Sequence, residues 1–263
     1  MLIDSHCHLE SFYRKGVLEE TLKTAHEMGV GGFVAVGTSP KDWRLYCELS
    51  KQYPQKIYWT AGLHPCDVDE NWKDAIVELS TWFTVDPLPV ALGEIGLDHF
   101  HMPKDPEDAD RLKVMQLKAF RAQLELALQF DAPVIIHSRN AFFECVELID
   151  ESGVDWNKVV FHCFSEGAEE MEILKARGGR GSFTGVVTYK NAENVRQAAL
   201  AQGLEKLMVE TDSPYLTPVP HRGKPNQPGY TALTAQFMAD LFEMPLKEFT
   251  RITEANTRSF YGI

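Results

Sequence analysis

The sequence is short of the features that would place it in several protein classes. Its five cysteines are an odd number, and no two of them form a CxxC pair. A disulfide framework or a zinc finger is therefore not expected. No apolar run reaches the roughly 20 residues that a membrane helix needs, so no membrane association is expected. A secretory leader is not legible either. Met1, Leu2, Ile3 and Asp4 already read as the start of a strand, and a cytoplasmic location is the default expectation. Low-complexity stretches, long linkers and sequence repeats are absent. Basic residues are outnumbered: 26 Lys and Arg stand against 38 Asp and Glu, a formal charge of −12. A broad grip on nucleic acid needs a basic face, so a scaffold that coats DNA is excluded. An enzyme that grips a few phosphates locally is not.

What is present is a regular rhythm. A hydrophobic fraction of 44% supplies material for a core. Short apolar, β-branched runs alternate with longer amphipathic stretches. Strands are expected over 2–6, 32–37, 57–63, 90–95, 133–137, 159–162, 181–184 and 207–211. Helices are expected over 18–28, 41–52, 72–85, 108–130, 141–151, 168–176, 192–201, 232–242 and about 246–260. Leu112, Met115, Leu117, Phe120, Leu124 and Leu128 give the fourth helix an apolar side. Eight βα units in this length argue for an α/β protein of the TIM (β/α)8-barrel class, a single domain over residues 1–263. The competing doubly wound sheet usually carries a Gly-rich phosphate turn after its first strand. Here the first strand ends in histidines.

In a parallel barrel, active sites form at the C-terminal ends of the strands. The first strand ends in Asp4-Ser-His6-Cys-His8 and the third in His64. The fourth carries Glu94 and continues to Asp98, the fifth ends in His137 followed by Arg139, the sixth in His162, and the eighth in Glu210-Thr-Asp212. Six of eight strand ends thus offer a metal ligand or an acid–base group. His6 and His8 are two residues apart and point the same way in an extended segment. An HxH pair alone is a weak signal, and it gains force from the other strand ends. Glu94 sits in an apolar run, where a carboxylate is costly unless paired or metal-bound. A buried ion pair is one reading. No basic residue lies nearby in sequence, which favours metal. His137 or His162 alone would read as a core histidine; equivalent positions on adjacent strands favour a shared site. Asp212 can bind metal and accept a proton from water. His26 reads as surface. Cys7 and Cys163, each beside a histidine, read as small buried residues.

These segments also resemble a known family, the TatD-type metal-dependent deoxyribonucleases of the amidohydrolase-like group. The segments that carry the resemblance are DSHCHLE at the start, GLHP at 62–65, GEIGLD at 93–98, PVIIHSR at 133–139, HCFSE at 162–166 and SFTGVVTYKNA at 182–192. They continue with ETDSPYLTP at 210–218, RGKPN at 222–226 and NTRSFYGI at the end. The resemblance implies a binuclear site, with His6, His8, Glu94 and Asp212 on one ion and Glu94, His137 and His162 on the other. It implies that His64, Arg139 and Arg222 face the substrate phosphate and that Glu210 supports the ligands. It implies 3′→5′ removal of nucleotides from DNA, commonly with magnesium. The chain departs from the family pattern at Gln227, Cys66 and His99, where the family often has Glu, His and Tyr. These departures bear on substrate preference more than on chemistry.

The expected function is therefore hydrolysis of DNA phosphodiesters at single-stranded ends, with two divalent ions and with Asp212 and Glu210 as the catalytic carboxylates. Mg2+, Zn2+, Mn2+ and Ni2+ all suit such a ligand set to different degrees. The alternative is an amidohydrolase acting on a cyclic amide, a lactone or a small phosphoester. Arg139, Arg222 and Lys224 favour a phosphate over a neutral amide. No obligate protein partner is inferred.

Overall fold

The computed structural model describes residues Met1–Ile263. Eight strands alternate with ten helices. In chain order these are β1 (Leu2–Cys7), α1 (Glu10–Arg14), α2 (Leu18–Glu27), β2 (Val30–Ala35), α3 (Pro40–Gln52), β3 (Ile57–Trp59), α4 (Trp72–Trp82), β4 (Leu92–Asp98) and α5 (Pro106–Phe130). There follow β5 (Val134–Arg139), α6 (Phe142–Ser152), β6 (Val159–Phe161), α7 (Ala168–Arg177), β7 (Arg180–Phe183), α8 (Glu193–Gln202), β8 (Met208–Val209), α9 (Thr231–Leu241) and α10 (Leu246–Tyr261). Consecutive strands pair in parallel: β1 with β2, β4 with β5, β5 with β6, and β7 with β8. Parallel neighbours need a crossover, and the intervening helices supply it. This is the (β/α)8 pattern expected from the sequence. No helix is long and apolar enough to cross a membrane. The chain contacts divide into two compact units.

The first unit holds residues 1–35, 53–58 and 162–263. Its β1 is buried along its whole length, apolar at Leu2 and Ile3 and polar at Asp4, Ser5 and His6. Helix α10 covers β1 and β8. It buries Phe249, Thr253, Thr257, Phe260 and Tyr261, a stripe at helical spacing. The Tyr261 hydroxyl donates to the Ser5 carbonyl at 2.9 Å. The chain after β8 bonds back to β1: the Asp212 N–H donates to the His6 carbonyl and the His8 N–H to the Ser213 carbonyl, both at 2.9 Å. The last strand segment of the chain therefore lies beside the first.

The second unit holds residues 36–52 and 59–161. Strands β4 and β5 pair from Leu92–Val134 to Asp98–Arg139 with a register shift between Leu92 and Ile95, and Gly96 lies opposite His137. Helix α5 starts at Pro106, two residues before the expected start, because Asp105 caps it. The Asp105 carboxylate accepts the N–H groups of Glu107 and Asp108 at 3.0 and 3.1 Å. The buried stripe of α5 is Gln116, Ala119, Phe120, Gln123, Leu124 and Ala127. Leu128, expected on that side, is 47% exposed; the helical period places Ala127 there instead. The two buried glutamines hold loops. Gln123 accepts the Leu63 N–H at 2.7 Å and donates to the Leu63 carbonyl at 3.1 Å. Beyond Trp59, where β3 ends, Ala61 makes one isolated parallel bridge to Leu92, and the backbone of Leu63, expected to close the strand, bonds to the Gln123 side chain instead. Strand β4 runs to Asp98, beyond the expected Ile95, because β5 stays paired with it to Arg139.

Candidate metal centre

In the first unit the donors gather where β1 and β8 end, beside His162. Asp4 anchors them. It is fully buried and accepts the Thr211 N–H at 2.8 Å and the Thr211 hydroxyl at 2.5 Å. Burial pushes its carboxyl up to about 8 in spite of those bonds. Asp212 follows in a left-handed conformation, φ +53°, which Asp tolerates better than most residues. Its Oδ1 lies 3.2 Å from His8 Nε2 and 3.7 Å from His6 Nε2. Burial raises the Asp212 pKa, and the His8 hydrogen bond with the His8, His6 and His162 rings outweighs it, so the carboxyl ends below its usual range. The His6 and His162 rings stack with centroids 4.0 Å apart.

Glu210 lies behind His162, with Oε1 3.5 Å from His162 Nδ1. It is fully buried. One oxygen accepts the Cys163 N–H at 2.7 Å, and the other accepts the Ser182 hydroxyl. Cys163 is left-handed at φ +46°, a strain on the order of 1–3 kcal/mol for such a residue. The bond to Glu210 holds it there. Glu210 is thus buried beside His162, with its oxygens bonded to Cys163 and Ser182.

In the second unit Glu94 sits in a corner built by glycines. A Cβ on Gly62 would lie 2.6 Å from the Gly93 carbonyl carbon and 2.8 Å from the Glu94 nitrogen. A Cβ on Gly96, φ +140°, would lie 2.0 Å from the His137 oxygen. The Glu94 N–H donates to the Gly37 carbonyl at 2.9 Å. Glu94 is buried, with Oε1 2.8 Å from His137 Nδ1 and 3.3 Å from His64 Nε2. The other His137 nitrogen, Nε2, is 3.1 Å from Asp98 Oδ2. A carboxylate behind an imidazole fixes its tautomer and ring plane. Asp98 also faces His101 Nδ1 at 2.8 Å and accepts the N–H groups of Phe100 and His101 at 2.8 Å. Burial would raise the Asp98 pKa, but these bonds to His137 and His101 dominate and hold it well below the carboxylate range.

His64 differs from the other histidines. Its Nδ1 accepts the Cys66 N–H at 3.0 Å. The neutral ring then carries its proton on Nε2, the nitrogen that faces Glu94. That nitrogen is a donor and suits an oxyanion better than a cation.

The donor chemistry fits divalent ions. His6, His8 and Asp212 bring three ligand atoms within 4.8 Å of one another; in the second unit Glu94 and His137 are the metal-type donors, with the protonated His64 nitrogen beside them. The donors are imidazoles and carboxylates, with no Lys or Arg among them, a set that suits divalent transition metals and, through its carboxylates, magnesium. The structure thus brings together His6, His8, His162, Glu210 and Asp212 in one unit and His64, Glu94 and His137 in the other. Arg139 ends β5 with its guanidinium 4.3 Å from the Phe100 ring centroid. Arg222 is exposed in the loop after β8, 4.1 Å from the Tyr189 ring centroid. Neither pairs with a carboxylate. Sequence reasoning passed over the supporting roles of Asp4, Asp98 and His101. A polar residue at the end of an apolar strand, the signal that picked out Glu94, also marks Asp98.

The fold and these donor groups define a metal-dependent hydrolase of the (β/α)8-barrel class. Residues 3–262 match the TatD-related DNase family, and the chain belongs to that family. It is 35% identical over 266 residues to YabD of Bacillus subtilis, an uncharacterized metal-dependent hydrolase, covering 100% of both chains. It is 33% identical over 265 residues to YcfH of Escherichia coli K12, also an uncharacterized metal-dependent hydrolase, covering 100% of this chain and 96% of that one. Among solved structures, YJJV, a TatD homolog from Escherichia coli K12, superposes with a TM-score of 0.89 at 27% identity, covering 100% of this chain and 98% of that one.

Proposed function

We propose that the chain is a single-domain deoxyribonuclease over residues 1–263, removing nucleotides 3′→5′ from single-stranded DNA ends with two divalent ions. The observation that carries this reading is an imidazole–carboxylate donor group in each unit of a TatD-family chain. His6, His8, Glu94 and Asp212 would hold one ion, and Glu94, His137 and His162 the other. When bound, such ions supply Lewis acidity and bring the pKa of water toward ~7.

The chain's own residues supply the rest. Asp212, whose carboxyl lies below its usual range and is ionised, orients the attacking water and accepts its proton as the bond from phosphorus to the leaving 3′-oxygen breaks, and that oxygen takes a proton from solvent. Glu210 holds His162 in place. The His64 Nε2–H donates to a phosphate oxygen. Arg139 and Arg222 offset charge on the phosphate. Tyr215, 62% exposed with its ring 6.4 Å from that of His8, offers a face for a base.

The test is a matrix of metals and substrates on metal-stripped protein. Mg2+, Mn2+, Zn2+ and Ni2+ are each combined with labelled single-stranded DNA, double-stranded DNA, RNA and a dihydropyrimidine-like cyclic amide. Metal-dependent release of mononucleotides from the 3′ end of single-stranded DNA is expected. Turnover of the cyclic amide with intact DNA in every metal would replace this reading with an amidohydrolase.

A further inference from the structure

Beside the hydrolytic donors stands a third group of different chemistry. Cys66 Sγ, Asp98 Oδ2 and His101 Nδ1 lie within 4.8 Å of one another. The sulfur is 3.6 Å and the nitrogen 2.8 Å from the same carboxylate oxygen. We infer that Cys66, Asp98 and His101 form a separate cation site for a soft divalent ion of the zinc class. None of the three is among the ligands of the proposed hydrolysis, although Asp98 Oδ2 also lies 3.1 Å from His137 Nε2, so the new site shares one oxygen with the support of that ligand.

The spacing supports this. Tetrahedral zinc, with Zn–S near 2.3 Å and Zn–N or Zn–O near 2.0–2.1 Å, holds its donors about 3.3–3.6 Å apart. The sulfur–oxygen pair already has that separation. The nitrogen–oxygen pair must open by about half an ångström, and the His101 side chain, 55% exposed, has room to move. Asp98 does not move easily. It is fully buried, its other oxygen takes two backbone N–H groups, and its own N–H donates to Gln116 at 3.1 Å. One fixed donor thus stands between two adjustable ones. Cys66 and His101 are exposed, which leaves the fourth position to water.

The donor set also sets the selectivity. A thiolate favours zinc and cobalt over magnesium, which takes oxygen ligands. Binding releases the Cys66 thiol proton to solvent and requires the His101 ring proton on Nε2, so that Nδ1 and the sulfur both bond the ion. No electron transfer is involved.

Cobalt tests the site, because a thiolate bond to Co2+ gives a charge-transfer band. Metal-stripped protein is titrated with Co2+, following the band and the bound cobalt by elemental analysis. The parent protein should show the band and bind one more equivalent than Cys66→Ser, which should lack the band. His101→Ala should bind the band-forming cobalt about tenfold or more weakly. Zinc should bleach the band, and magnesium at equal concentration should leave it. A parent without the band, a band that persists in Cys66→Ser, or bleaching by magnesium overturns the site. The comparison is a difference of one equivalent, so it holds whether the hydrolytic ligands take two ions or fewer.

Discussion

A carboxylate has two oxygens to offer metals, and a neutral imidazole has one lone pair. This difference ranks the residues of the two donor groups. Glu94 could serve two ions, whereas each histidine serves one. Glu94→Gln keeps the shape and removes the charge that would offset two dications. It should lower occupancy of both ions and abolish turnover, while His162→Ala should empty mainly one. Elemental analysis beside a circular-dichroism check of folding decides it; a folded Glu94→Gln protein with two tightly bound ions would remove Glu94 from the bridging role. Asp98 acts at one remove, through His137. Asp98→Asn keeps one acceptor oxygen but loses the charge that steadies the imidazole. Metal affinity or turnover should fall about 10–100-fold with folding retained. Parent-like metal titration and rate in that variant would show that His137 needs no such support.

Helix caps and loops separate stability from chemistry. Asp105 is exposed and caps α5 through two backbone N–H groups. Asp105→Ala should cost about 0.5–2 kcal/mol of stability, seen as a lower melting temperature, with turnover unchanged. The loop after β8 gives the opposite case. Buried Asn226 ties it down by donating to the Thr211 carbonyl at 3.0 Å and the Tyr215 carbonyl at 2.5 Å, so Arg222 is not needed to hold it. Arg222→Ala should leave the melting temperature nearly unchanged and slow DNA hydrolysis; unaltered kinetics on every active substrate would exclude Arg222 from the substrate. The strands were legible because apolar, β-branched runs such as Val134-Ile-Ile mark buried parallel strands. The donor residues were legible because a polar residue ending such a run needs a reason to be there. Their supports were not. Asp4 reaches Thr211 across more than 200 positions of sequence, and Gln123 reaches Leu63 across 60. Such long-range side-chain bonds leave no periodic trace. The short helix α1 escaped for a related reason: it buries no residue, so it shows no apolar stripe.

At the scale of the whole molecule, charge limits how DNA can be held. The net charge of −12 repels a polyanion from most of the surface. Attraction must come from bound cations and from a few local side chains. The candidates in the chain are Arg139, Arg222 and Lys224, of which Arg222 and Lys224 share one loop. Each phosphate neutralised on single-stranded DNA contributes about −0.7 to the slope of log affinity against log salt. Two or three contacts therefore predict a slope of about −1.4 to −2.1. The measurement uses a non-hydrolysable single-stranded oligonucleotide, with the divalent ion held constant while monovalent salt is varied. Arg139→Ala and Arg222→Ala should each make the slope shallower by about 0.7 and weaken binding evenly across base sequences. A slope of about −4 or steeper, the signature of six or more phosphates, would mean a long groove along the strand, which an enzyme that grips only the end of its substrate does not need. A shallow slope that neither arginine changes would move the phosphate grip to other residues while leaving the end-binding geometry in place.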